Sequence, residues 1–345
     1  MARAARATGV LLLNLGTPAS PSVPDVRRYL AEFLSDPRVL DLPAPARWLL
    51  LHLWILRFRP HRSAAQYASV WKAEGSPLLV HSRALCAALS KELGASFEVT
   101  LAMRYGTPGI AAAMEHLLHA DVGKIIVFPL FPQGASSSRG SALAKVFELA
   151  GAMWNVAALD TAPEFYDDPS FMNAWKAVIE PRLAEFHPDH VLFSFHGLPE
   201  RHLRKSDPTE RHCLATADCC DAIGPANRAC YRAQCAATTR ALASALALAP
   251  DTHSMAFQSR LGREPWIRPY TDRVLPELHS RGVRRLAVVC PSFVADCLET
   301  VEEIGIRARE QWKALGGAEL LLVPSLNADP AWVGALAQMV RNQKR

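Results

Sequence analysis

Residues 10–18 read VLLLNLGTP, and residues 191–199 read VLFSFHGLP. Each is an apolar run closed by a glycine, one further residue and a proline. Laid over one another, Gly16 falls on Gly197 and Pro18 on Pro199. A short apolar run bounded by Gly and Pro reads as a buried strand with its turn. The echo continues outward. KIIVFPLF (residues 124–131) matches LAVVCPSF (286–293), an apolar strand, a proline and then Phe131 or Phe293. TLAMRYGTP (100–108) matches SMAFQSRLG (254–262), and NVAALDTAPEF (155–165) matches LLLVPSLNADPAW (320–332).

Between these strands lie helical patterns such as SRALCAALSKEL, GIAAAMEHLLHA, ATTRALASALAL and CLETVEEIGIRAREQWKAL. Strands alternating with amphipathic helices specify βαβ units and parallel sheets. The expected fold is α/β, with two Rossmann-like, doubly wound parallel-sheet domains related by duplication. The expected boundaries are 8–165 for the first domain, with a lip at 17–60, and 166–328 for the second, with a Cys-rich insertion at 207–235. A C-terminal helix is expected over 329–345. A chain of 345 residues, half of them apolar, has material for two cores. The net charge of +5 contains no long basic run, so nucleic acid is not an expected partner. No GxGxxG or P-loop pattern suggests a nucleotide. The basic start, MARAARATGV, is too short for a secretion signal, and WLLLHLWIL (48–56) is too short to cross a bilayer. The expected location is cytoplasmic.

In doubly wound sheets, ligands sit beyond the carboxyl ends of the strands. His196 ends a strand and precedes Gly197, and an imidazole with an ordinary pKa near ~6.5 suits proton transfer. Asp296, Glu299 and Glu303 are spaced to share one helical face and could pass protons or hard cations. Dipole preference alone explains Asp296 better than Glu303. The stretch LPAPARWLLLHLWILRFRP (42–60) is too apolar all round for an ordinary surface helix. It reads as core, as the mouth of a pocket for a large flat ligand, or as a surface for peripheral contact with the inner face of a membrane.

Five of the eight cysteines fall in HCLATADCCDAIGPANRACYRAQC (212–235): Cys213, Cys219, Cys220, Cys230 and Cys235. In a reducing compartment such clustering points to metal before disulfides. Four thiolates hold an iron–sulfur cluster or a structural zinc, and uncoordinated thiols are the third reading. Cys219 and Cys220 are not expected to ligate together, because neighbours in an extended segment diverge.

Several blocks, taken in order, resemble ferrochelatase from about residue 9 to about residue 330: LNLGTPASP…VRRYLAEFLSDPRV, AMRYGTP, FPLFPQ…SS…GS, SFHGLPERHLRKSDP, FQSRLGREPWIRPYTD and CPSFVADCLETVEEI. The resemblance implies the chelatase fold and insertion of Fe2+ into protoporphyrin IX to give protohaem. It implies catalytic roles for His196, taking pyrrole protons or binding the incoming iron, and for Glu299 as the cleft glutamate beside the substrate iron, with Asp296 and Glu303 continuing an acidic path. It implies porphyrin contacts from Tyr29, Leu30, Ser76, Arg104, Tyr105, Gln258, Ser259 and Trp266, and propionate contacts from Arg59 and Tyr67. The second histidine of many members is Cys297 here, which puts a two-histidine metal relay in doubt and leaves His196 to act with carboxylates, with or without a thiolate. The Cys-rich insertion resembles a bacterial subclass with an internal [2Fe–2S] cluster on four of its five cysteines, with zinc as the alternative. The competing functions are a chelatase for coproporphyrin or another tetrapyrrole, and a non-catalytic iron–sulfur or haem-binding protein on the same fold.

Overall fold

The structure, a computed structural model, describes residues 6–155, 158–262 and 264–344. The chain divides into two compact units. Residues 1–131, 136–163 and 333–345 make the first, and residues 132–135 and 164–332 the second.

In the first unit β1 (Thr8–Gly16), β2 (Phe97–Tyr105), β3 (Lys124–Pro129) and β4 (Leu159–Thr161) form one sheet in the order β2-β1-β3-β4. All pairings are parallel. β1 runs against β2 from Thr8↔Phe97 to Gly16↔Tyr105 and against β3 from Thr8↔Lys124 to Leu13↔Pro129. Val10, Leu11, Leu12 and Leu13 are wholly buried. A parallel strand covered on both faces needs an apolar run rather than alternation, which is why residues 10–13 read as they do. Leu11 and Leu13 pack with Met114, Leu117, Val127 and Val146 from the flanking elements.

The second unit repeats the plan with β5 (His190–His196), β6 (His253–Gln258), β7 (Arg285–Val289) and β8 (Glu319–Leu322), in the order β6-β5-β7-β8. β5 pairs with β6 from Val191↔His253 to His196↔Gln258 and with β7 from His190↔Leu286 to Phe193↔Val289. The repeat goes further than the sequence echo. The Met103 N–H donates to Pro108 O (2.7 Å), and the Phe257 N–H donates to Pro269 O (2.8 Å). Both loops close on a proline after a cis peptide. Both repeat glycines are also required. A Cβ on Gly16 would run into the Tyr105 carbonyl, and one on Gly197 would come within 2.8 Å of Gln258 O.

Helices start where side chains supply the missing acceptor. Ser22 caps Val23–Ser35, Ser76 caps Pro77–Leu93 and Asp168 caps Pro169–Phe186, each followed by proline in the first turn. Each cap contributes about 1 kcal/mol. The lip is largely helical. After Val23–Ser35, helix resumes over Ala44–Leu49, widens to a π turn over Leu50–Ile55 and continues over Leu56–Val70. No glycine occurs between residues 17 and 74 to stop it. The C-terminal helix, Pro330–Lys344, joins the first unit for most of its length. There Lys124 Nζ donates to Gln343 O (2.9 Å) and Arg341 to Glu92 O (2.8 Å). Among the described residues no helix is long and apolar enough to cross a membrane.

Candidate active site

Within each sheet the order reverses direction beside the strand that comes first in the chain, between β1 and β3 and between β5 and β7. Such a switch point opens a crevice at the carboxyl ends of the strands. In the second unit the residues there are His196, at the end of β5, and the segment after β7 that carries Ser292, Phe293 and Glu299.

The His196 ring is oriented by its own turn. Nδ1 lies 2.6 Å from the Gly197 carbonyl oxygen. That oxygen only accepts, so Nδ1 carries a proton, and in the neutral ring the lone pair is on Nε2. Trp266 and Phe293 flank the imidazole, each with its ring centroid 6.4 Å away. Trp266 is fixed by an Nε1 bond to Leu261 O (2.8 Å). The His196 N–H donates to Ser292 Oγ at 3.4 Å, and Ser292 Oγ also bonds the buried Tyr231.

Gln258 joins the strand beside His196 to the carboxylate row. It is His196's register partner on β6. Its Oε1 accepts from Ser194 Oγ (2.7 Å), and its Nε2 donates to the Glu299 carbonyl (2.7 Å). A residue expected to touch substrate is thus fully engaged inside the protein, where it seats the start of the acidic helix.

That helix is π, not α, over Glu299–Ala308. The wider turn is a frequent mark of functional sites, and residue spacing alone does not reveal it. The three acidic residues have unlike environments. Asp296 accepts from Thr300 Oγ1 (3.1 Å), the Ser325 N–H (3.2 Å) and Asn327 Nδ2 (2.8 Å). Glu303 accepts from the Ser259 N–H (2.9 Å) and the Ser259 hydroxyl, and lies 3.8 Å from Arg307. Ser259 sits at φ +67°, a left-handed conformation those bonds hold in place. Glu302, buried, is paired with Arg307 at 2.8 Å. Cys297, which stands where many members have a second histidine, is buried. Burial, and then the neighbouring Glu299 carboxylate, raise its pKa well above the ordinary value, which disfavours the thiolate.

The first unit holds a second polar centre, at the end of β2. Asp36, buried, accepts from Arg104 Nη2 (2.7 Å), Tyr105 OH (2.9 Å) and Ser141 Oγ (2.5 Å). Arg104 also reaches Ser141 Oγ (2.7 Å) and lies over the Tyr105 ring. Tyr105 is wholly buried, and its phenol is pushed above the ordinary range by desolvation. It supports Arg104 from within. Tyr29 donates to Gly16 O (3.1 Å) and belongs to an aromatic group with Phe33, Tyr67 and Trp71. Leu30 and Ser76 are buried, and Ser76 spends its hydroxyl on a helix cap, while Arg59 is half-buried. Asp36 went unnoticed in the sequence, although it lies in the quoted block FLSDPRV.

Burial opposes the charge on Asp36, but the bonds from Ser141, the Arg38 N–H and Tyr105, with the Arg104 charge, outweigh it and lower its pKa. The sign of the pH dependence follows. The stabilisation is fully present above the ordinary carboxylate pKa of about 4 and is lost as pH falls through the lower folded value. Asp36→Asn is expected to cost about 2 kcal/mol at neutral pH, as for lost bonds to a charged group. Urea unfolding at neutral and acid pH checks this, because the difference from wild type should shrink in acid.

The cysteine insertion is a folded loop. Asp207 accepts from the Cys213, Thr209 and His212 N–H groups, which hold its carboxyl well below the usual range. Asn227 ties Cys219 O and Ala222 O together. The expected divergence of Cys219 and Cys220 is wrong in its premise: the segment is a turn, and their sulfurs are 3.7 Å apart. Two sulfurs on one tetrahedral metal with bonds of about 2.3 Å lie about 3.8 Å apart. The Cys230 thiol lies close enough to those of Cys213 and Cys220 to interact with both, and all three are free thiols. Cys235 instead bonds Tyr231. Arg232 Nη1 points at Cys220 Sγ (3.1 Å) and Cys219 Sγ (3.9 Å). Among the described residues no three His, Cys, Asp or Glu side chains form a group that could hold a single metal ion.

Comparison with known proteins adds to this geometry. The profile of the family described as Ferrochelatase matches residues 7–344. A protein named Ferrochelatase from Coxiella burnetii is 50% identical over 333 residues, covering 96% of this chain and 93% of its own. One from Legionella pneumophila is 44% identical over 335 residues, covering 97% and 99%. Among solved structures, SirB from Bacillus subtilis with Fe3+ aligns with a TM-score of 0.52 at 12% identity, covering 98% of this chain and 95% of that one. The sirohydrochlorin chelatase SirB from Bacillus subtilis subspecies spizizenii with cobalt aligns with a TM-score of 0.53 at 10% identity. At such identities the structural likeness shows the fold alone.

Proposed function

The chain belongs to the ferrochelatase family, and from that membership we propose how its residues insert ferrous iron into protoporphyrin IX to form protohaem, the last step of haem biosynthesis and a lyase reaction. The observation that carries the proposal is the His196 ring, whose Nδ1–H is spent on Gly197 O at 2.6 Å. Iron enters the macrocycle only as two pyrrole N–H protons leave. The Nε2 lone pair of His196 accepts a pyrrole proton, between the apolar rings of Trp266 and Phe293 that exclude water. A bent macrocycle presents its nitrogen lone pairs better than a flat one, so a site shaped for the bent form favours the transition state.

Glu299 acts with His196 and receives the second pyrrole proton, so that both protons released on iron entry have an acceptor. Asp296 and Glu303 are positioning residues, since their oxygens anchor the 325–327 turn and the Ser259 turn. Gln258 positions Glu299 through its carbonyl. Arg59 and Tyr67 are proposed to meet propionates, as a guanidinium suits a carboxylate. The test is haem formation from ferrous iron with defined porphyrins. Protoporphyrin should be metallated faster than coproporphyrin. The reverse preference would favour a coproporphyrin chelatase, and no insertion with either would favour a binding protein.

For the insertion we propose a [2Fe–2S] cluster held by Cys213, Cys219, Cys220 and Cys230. The support is the thiol contacts and the cationic Arg232 beside them. A bound cluster would brace the loop, coupling metal binding to folding. Protein purified without oxygen should carry iron and sulfide near two each per chain. Serine at any of those four positions should bleach it, whereas Cys235→Ser should leave the colour. One zinc per colourless chain would assign the thiols to zinc. The helical lip is proposed to rest peripherally on the inner face of the membrane, where a lipophilic porphyrin partitions.

A further inference from the structure

The lip carries its apolar residues outward. Trp48, Leu53, Trp54 and Phe58 are 56%, 56%, 65% and 61% exposed. The rings associate with one another, Trp54 with Phe58 at 5.0 Å and Trp48 with His52 at 4.8 Å. Charge on this segment is one-sided. Residues 42–73 contain Arg47, Arg57, Arg59, Arg62 and Lys72 and no carboxylate at all. Beside the exposed aromatics lies an open groove of about 390 Å³ lined by Arg27, His52, Leu56 and Arg57. Arg27 is held there by an Nε bond to Leu56 O at 3.1 Å.

We propose that the lip binds an anionic lipid bilayer, with the Arg27–His52–Arg57 groove receiving the phosphate of a lipid headgroup. The inference rests on the reading of the lip as a peripheral membrane contact and adds the lipid class. Aromatic and aliphatic side chains alternating with cations on one helix suit the boundary between headgroups and acyl chains. A surface for nucleic acid or for an acidic protein has no use for four large exposed apolar side chains set among its cations. The cations act within a Debye length of the surface, so binding weakens with salt.

The test is flotation of the whole protein with vesicles of phosphatidylcholine alone and of phosphatidylcholine mixed with phosphatidylglycerol. Binding should be strong only with phosphatidylglycerol and should fall with added chloride. Arg27→Gln with Arg57→Gln should weaken it roughly 25-fold, a factor of about five per cation. Arg57→Gln with Arg62→Gln, which leaves the Arg27 bond in place, should weaken it similarly, with circular dichroism unchanged. Equal binding to both vesicles, unmoved by the arginine changes, overturns the anionic inference and leaves the membrane reading standing. No binding to either vesicle, or binding unchanged in Trp48→Glu with Trp54→Glu, overturns both. Displacement by inorganic phosphate at matched ionic strength, where chloride does not displace, would make the groove a site for free phosphate instead.

Discussion

His196→Ala should lower iron insertion by a factor of about 10² to 10⁴, the range for loss of a positioned acid–base group, while porphyrin binding persists. The imidazole is half-buried, and its Nδ1 hydrogen bond is to the next residue's carbonyl. Its removal therefore leaves the β5–β6 and β5–β7 ladders untouched. Fluorescence quenching of the porphyrin should report binding near the wild-type level. Retention of more than about a tenth of wild-type kcat, a barrier change of only ~1.4 kcal/mol, would remove His196 from the chemistry.

Glu299→Gln should have the next largest effect, about 10²-fold on kcat with a smaller effect on KM for porphyrin, since the change removes charge and keeps shape. Folding should be preserved, because the bond that seats the residue comes from Gln258 to its backbone carbonyl rather than to its carboxylate. Glu303→Gln and Asp296→Asn should act differently. They loosen the Ser259 turn and the 325–327 turn, so thermal stability and activity should fall together. Loss of kcat at full stability in Glu303→Gln would return that residue to the proton or metal path.

The duplication was legible because buried parallel strands must be apolar throughout, and VLLLNLG and VLFSFHG keep that signature. The same physics exposed His196, a polar residue at the end of such a run. The π turn was not legible, since Glu299 and Glu303 are four apart and that spacing fits an α-helix equally well. Nor was the function of Gln258, whose side chain bonds Ser194 and Glu299, residues 64 and 41 positions away. Asp36 escaped for the same reason, as Arg104, Tyr105 and Ser141 reach it only once β2 lies beside β1. In the Cys loop, spacing alone suggested an extended segment. The Asp207 and Asn227 turns that bring Cys219 and Cys220 together depend on carboxylate and amide bonds to N–H and C=O groups two to eight residues away.

The central claim is that a neutral imidazole lone pair at His196 takes the pyrrole proton. Chemical rescue tests it most directly. His196→Ala should regain iron insertion when imidazole is added, in proportion to the free-base concentration. Across substituted imidazoles of similar size the rescued rate should rise with their basicity. A variant that binds porphyrin normally but shows no rescue with any imidazole, or rescue indifferent to basicity, would contradict the account.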